Sequence, residues 1–220
     1  SHEATLRQPP VLPLTENDAP EPLETYGLSK WLGELVCELY ARTSGIDVIN
    51  LRFPNIVKRE RFSELPWPYD PRLPLLMFDY CHEDDVVDAH LRALDSSSSS
   101  DTFLLAAPTT RFAESTTDLL ARHFPTDPPA FLGGSANEAI LDATEATRKL
   151  DWHPRSWTTG SKAALAARKD PDIRYFSLDG FTTDSGFELP SDASLAYRVY
   201  NNSPGKKLCV VGTSFGAVHT

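Results

Sequence analysis

Three observations predict an α/β fold with a parallel sheet, followed by a small β-rich fragment. Residues 26–44 carry Leu28, Leu32, Leu35, Val36, Leu39 and Tyr40 at helical spacing. Gly45 then stops the helix, and residues 46–53 form an apolar, β-branched run closed by Pro54. Helix, glycine turn and strand in that order make the second half of a βαβ unit, whose strands pair in parallel. Beyond residue 170 the helical period gives way to apolar–polar alternation, the pattern of antiparallel strands with one solvated face.

In chain order, residues 1–25 hold Pro9-Pro10, Pro13, Pro20 and Pro22 and are expected to be an extended loop. The helix and strand of residues 26–53 follow. Residues 57–77, rich in proline and aromatics without a period, are expected to be an irregular excursion able to cover a cleft. Residues 84–94 place Val86, Val87, His90, Leu91 and Leu94 on one side of a short helix. The serine run 96–100 is a solvated connector. A strand is expected over 102–106, and helices over 113–123, 142–150 and 161–168, with Trp152-His153-Pro154 as a stop. Residues 169–172, Lys-Asp-Pro-Asp, resemble a linker. Ile173-Arg174-Tyr175-Phe176 and residues 194–200 form two alternating runs, and residues 207–211 a buried-type strand.

The bulk numbers exclude several function classes. With 220 residues, 40% hydrophobic and 24% charged, the chain has the apolar mass for a core. A net charge of −10 argues against nucleic acid, which requires a basic stripe. Cys37, Cys81 and Cys209 are odd in number and far apart, with no metal or disulfide spacing, so a reducing, cytoplasmic setting is expected. No run is long and apolar enough for a membrane span, and no charged-then-apolar leader is present. The missing initiator Met implies that Ser1 is not a natural start.

The chemistry centres on Tyr26-Gly27-Leu28-Ser29-Lys30. Tyr26 and Lys30 stand one turn apart and project from one helix face. An ammonium beside a phenol favours the phenolate, so the tyrosine can exchange a proton with a hydroxyl or carbonyl near neutral pH. The ordinary alternative is a solvated helix edge. His82 is expected to cap or pack at a helix entry, and Asp85 and Asp142 to complement helix N-termini. Trp152 and Pro154 are expected to be structural.

Five segments in order resemble the extended short-chain dehydrogenase/reductases, the NAD-dependent epimerase/dehydratase family. They are Ser1-His2-Glu3-Ala4, Leu14-Thr15-Glu16-Asn17 followed by Tyr26 through Lys30, Leu51-Arg52-Phe53-Pro54-Asn55, residues 79–87, and residues 142–154 with Leu150-Asp151-Trp152-His153-Pro154. The resemblance covers residues 1–168 and implies the C-terminal part of a Rossmann-like domain acting on a sugar or small carbonyl or hydroxyl compound. It makes Tyr26 the general acid/base. Lys30 would lower its pKa and bind the nicotinamide ribose of NAD or NADP. Ser1 would hydrogen-bond the reacting oxygen, and Asn55 would touch substrate or cofactor. The ordinary role for Asn55 is a strand-end turn. A homodimer is an expected candidate assembly. The family's Gly-rich phosphate loop is missing, and Gly133-Gly134 lacks the strand–turn–helix to replace it. The isolated chain is therefore expected to be inactive and not to bind NAD(H) measurably. The short segment between Asn55 and Asp79 points to a free sugar, a sugar acid or another small carbonyl compound as substrate.

Residues 173–220 resemble the N-terminal part of an α/β-hydrolase of the homoserine O-acetyltransferase type, through Phe181, Ser185-Gly186, Leu189-Pro190 and Leu195-Ala196-Tyr197. Gly212-Thr213-Ser214-Phe215-Gly216 matches a nucleophile-elbow pattern. It is not read as one, because only four residues follow it and His219 is too near to be a positioned base. The alternatives to a reductase or epimerase are thus an acyltransferase fragment and a non-catalytic remnant or binding module.

Overall fold

The computed structural model describes residues 8–23, 25–98 and 100–159, and the strands 173–177, 194–198 and 208–214. Chain contacts define two units, residues 1–164 with 208–220, and residues 165–207. The boundary expected near residue 170 and the helix expected over 161–168 lie outside the described residues.

The first strand, β1 (Val11–Leu12), interrupts the stretch expected to be pure loop. The fully buried Leu12 anchors it, because the apolar side chain outweighs the surrounding prolines. Helix α1 (Thr25–Ser44) follows and ends at Gly45, whose φ of +68° is the left-handed conformation glycine adopts freely. Strand β2 (Asp47–Phe53) comes next, with Val48 through Leu51 and Phe53 all buried. Burial on both faces is the mark of an interior parallel strand.

Residues 57–77 are more ordered than expected. They begin at the end of β3 (Asn55–Val57), contain α2 (Arg59–Phe62), and close on a 3-10 turn over Leu75–Met77. Phe62, Leu65 and Trp67 pack with Val57, Tyr80 and Ala107, so the aromatics that obscure any period are what hold the segment down. Strand β4 (Tyr80–His82) runs directly into α3 (Glu83–Asp95), followed by β5 (Thr102–Leu104) and α4 (Thr116–His123). Ser115 caps α4 by accepting from the Asp118 N–H at 3.1 Å. The remaining elements are β6 (Ala130–Phe131), α5 (Thr144–Leu150), β7 (Ile173–Ser177), β8 (Ser194–Arg198) and β9 (Leu208–Ser214).

Among the described residues, every strand pair of the first unit is parallel. The principal sheet has the order β5-β2-β9, with Asp47 opposite Leu208 and Phe53 opposite Ser214. The pairs β3–β4 and β1–β6 are also parallel. Gly212, Thr213 and Ser214 therefore extend a strand rather than form a turn. In the second unit β7 and β8 pair antiparallel, as the alternation implies.

The main core joins Ile49, Leu51 and Phe53 of β2 with Ala89 and Ala93 of α3, Ala146 and Leu150 of α5, and the wholly buried Trp152. Small alanines on α3 and α5 let both helices sit close against the large strand side chains. The Trp152 indole N–H donates to the Asp85 carbonyl at 2.9 Å, which fixes the segment after α5 to the start of α3.

A second clamp uses Asp79, which is fully buried. Its two carboxylate oxygens accept from the N–H groups of Ile140 at 3.1 Å and Leu141 at 2.8 Å. Burial outweighs those two bonds and pushes the carboxyl up to about 7, from an ordinary 3.8. The unfolded chain thus ionises first as pH rises. The stabilisation from this group is complete below the unfolded value and is lost as pH climbs toward about 7. Asp79→Asn is expected to flatten this slope. Between about pH 4.5 and pH 7, urea unfolding of the variant should lose about 3 kcal/mol less than the parent does. Equal slopes for the two proteins would refute the assignment.

Candidate active site

The helical period and the Gly45 stop place Tyr26 and Lys30 in the first turns of α1. Their side chains share one face, with the Lys30 Nζ 4.9 Å from the Tyr26 ring centroid. The ammonium thus lies over the ring face, a cation–π arrangement. Tyr26 is 38% exposed, so the residue is not buried in the core. The Ser29 hydroxyl donates to the Tyr26 carbonyl at 2.6 Å and reinforces this turn.

Glu34 and Arg52 tie α1 to the sheet. Arg52 Nε donates to Glu34 Oε1 at 2.9 Å and Nη2 to Oε2 at 2.7 Å, with both side chains only 12% exposed. This two-pronged geometry fixes orientation as well as distance. The apolar stripe that marks α1 in the sequence does not supply the attachment. Leu28, Leu32, Leu35, Val36, Leu39 and Tyr40 are all exposed, and no residue of α1 is buried. Hydropathy period reports that a helix has an apolar face but not what lies against it.

Asn55 opens β3, in register with Tyr80 of β4. A cavity of about 260 Å³ lies between α1 and the sheet, lined by Trp31, Glu34, Leu35, Asn50, Arg52 and Thr102 among others. Tyr26, Lys30 and Asn55 do not line it. Tyr26 and Lys30 are therefore brought together, Asn55 stands on a separate strand pair, and Ser1 lies outside the described residues.

The acidic helix entry differs from expectation at one residue. His82 caps α3, its Nδ1 accepting from the Asp84 N–H at 3.0 Å, and burial lowers its pKa. Asp142 accepts from the Thr144 N–H at 2.8 Å at the start of α5. Asp85 does more than complement a helix terminus. It accepts from Arg155 Nε at 2.9 Å and from the Arg155 N–H at 2.8 Å, and both side chains are buried. Burial raises the Asp85 pKa despite the cation beside it. Arg155 was not legible as a partner, because 70 residues separate the two. The Gly133-Gly134 turn offers no phosphate cradle, since the N–H groups of Gly134 and Ser135 both donate to Glu138 Oε2. Among the described residues no His/Cys/Asp/Glu cluster could hold a metal ion, and no helix is long and apolar enough to cross a membrane.

Comparison with known proteins matches residues 5–64 to the NAD dependent epimerase/dehydratase family. That span contains Tyr26, Lys30, Arg52 and Asn55. A UDP-glucose 4-epimerase of Lactobacillus helveticus is 25% identical over 190 residues, covering 70% of this chain and 58% of its own length. A putative UDP-glucose 4-epimerase of Methanocaldococcus jannaschii is 43% identical over 53 residues, covering 24% of this chain and 17% of that one. A solved UDP-glucuronic acid 4-epimerase from Bacillus cereus in complex with NAD aligns with a TM-score of 0.46 and 17% identity, over 71% of this chain and 55% of that one. The chain thus spans less than two thirds of the length of each of these relatives.

Proposed function

We propose that this sequence carries the acid–base half of an NAD(P)-dependent epimerase or dehydratase acting on a sugar hydroxyl. The observation that carries the reading is the Tyr26–Lys30 pair on one exposed helix face, inside the segment matched to the epimerase/dehydratase family. In this reading Tyr26 takes the proton from a substrate hydroxyl as it becomes a carbonyl, and returns it on reduction. Lys30 supplies the fixed positive charge that favours the phenolate while the proton is away. The Arg52–Glu34 pair holds α1, and with it the phenol, at a fixed angle to the sheet.

In this reading Tyr26 and Lys30 would hold the nicotinamide ribose, whereas no strand–glycine turn–helix for the pyrophosphate occurs among the described residues. A bound nicotinamide would accept and return the hydride. The proposed activity accordingly belongs to this sequence together with a Gly-rich phosphate-binding half.

The test is NAD-dependent epimerisation of UDP-glucose, with free glucose and glucuronate in parallel, by the product of the full reading frame carrying this sequence. Proton NMR would follow the epimer. Product formation that depends on Tyr26 supports the reading. A frame that binds NAD and UDP-glucose yet turns over equally well as Tyr26→Phe would refute it.

A further inference from the structure

Arg111 is 7% exposed, yet its buried Nε–H has no hydrogen-bond partner among the described residues. It lies 4.8 Å from the Trp67 ring centroid and 5.4 Å from that of Phe112. A second guanidinium, that of Arg61, lies 4.7 Å from the same Trp67 ring. Arg61 Nε donates to Glu64 at 3.1 Å, and both of those side chains face solvent. Ring contacts do not replace the hydrogen bond that the buried Nε–H of Arg111 forgoes. In a chain of net charge −10, two neighbouring cations without a buried acid are out of keeping with the rest of the molecule.

The residue before Arg111 and the ring it stacks on share its condition. Four buried side-chain nitrogens and oxygens among the described residues lack a partner, and three belong to Trp67, Thr110 and Arg111. They are the Trp67 indole N–H, the Thr110 hydroxyl and the Arg111 Nε–H, all able to donate. The backbone keeps these residues adjacent: the Trp67 N–H donates to the Arg111 carbonyl at 3.0 Å. The Trp157 indole N–H donates to the Thr110 carbonyl at 2.8 Å. Native structures rarely leave buried donors unmatched, and a cluster of them points to an absent acceptor.

We propose that Arg111, Trp67 and Thr110, with Arg61 at the solvent edge, form a binding site for a phosphate-type oxyanion. Such a group offers several acceptor oxygens and the negative charge that the guanidinium lacks. Burial and the neighbouring Arg61 charge lower Arg111 to about 10, so it stays cationic at neutral pH and available to an anion. The site uses none of the Tyr26–Lys30 chemistry and stands or falls apart from it.

The test is a titration of the full chain with inorganic phosphate and, in parallel, glucose 1-phosphate, against sodium chloride of matched ionic strength. Thermal unfolding and tryptophan fluorescence are the readouts. Both phosphates are expected to raise the melting temperature above the chloride control, and to perturb the fluorescence to which Trp67 contributes. Arg111→Met should remove the response. Arg61→Gln, on an exposed side chain that folding does not need, should weaken it by at least about tenfold. Tighter binding of the ester assigns the site to a phosphorylated metabolite, and equal binding assigns it to the phosphate group alone. A response matched by chloride, or an unchanged affinity in Arg61→Gln and in folded Arg111→Met, would overturn the proposal.

Discussion

Tyr26→Phe is expected to lower the proposed epimerase or dehydratase turnover by about 10²–10⁴-fold. The substitution removes one hydroxyl, and with it the only proton acceptor the proposed reaction assigns at the substrate oxygen. Tyr26 sits in the first turn of α1 and is 38% exposed, so its loss should leave the far-ultraviolet circular dichroism unchanged. Because the proton moves only in the transition state, kcat and kcat/KM should fall together. A deficit below about tenfold would mean that another group carries the proton. A rise confined to KM would mean that Tyr26 merely binds.

Arg155→Met should cost the fold about 3–5 kcal/mol. Asp85 and Arg155 are 7% and 6% exposed at the side chain, and their contact lies where the Trp152–Ser156 segment meets the start of α3. Methionine fills much of the arginine's volume but leaves the Asp85 carboxylate buried beside the backbone N–H of residue 155 alone. Burial already raises the Asp85 pKa with the cation in place, so without it the carboxyl is expected to take up a proton. The double variant Asp85→Asn with Arg155→Met should recover part of the loss, since no buried charge then remains unpaired. Urea unfolding measures both. A single-variant cost below about 1 kcal/mol would show that solvent reaches the pair.

How much of this was legible in the sequence depends on the range of the interaction. The α1–Gly45–β2 unit declares itself because the helical period, the left-handed glycine and the β-branched run are all local. The Tyr26–Lys30 pairing is local for the same reason, being a matter of one helical turn. β1 is hidden in the sequence because two residues in a proline-rich stretch carry no period, and the residues that give Leu12 and Leu14 a place to pack, Leu75, Phe78, Phe112, Ile140 and Leu141 among them, lie far along the chain. The ion pair of Asp85 had a faint signal, a third acid at a helix entry already supplied with two, but its partner lies 70 residues away. Arg52 gave a clearer hint. A charge within an otherwise buried strand requires an opposite charge nearby, and Glu34 meets that need. The pairing of β9 with β2 joins positions 47 and 208, a separation at which no sequence pattern indicates a neighbour.

The attachment of α1 has a kinetic consequence. A 20-residue helix with no buried side chain draws little of its stability from packing, and an isolated helix of that length is marginal in water. Its amide hydrogens should therefore exchange with solvent through brief detachments that leave the sheet intact, while those of β2 wait for global opening. Deuterium uptake at residues 26–44 is expected to outpace that at residues 47–53, and Arg52→Met should speed the first without changing the second. The proposed proton-transfer residue would then sit on an element that opens ahead of β2, and any ligand that contacts Tyr26 and Lys30 would slow that exchange.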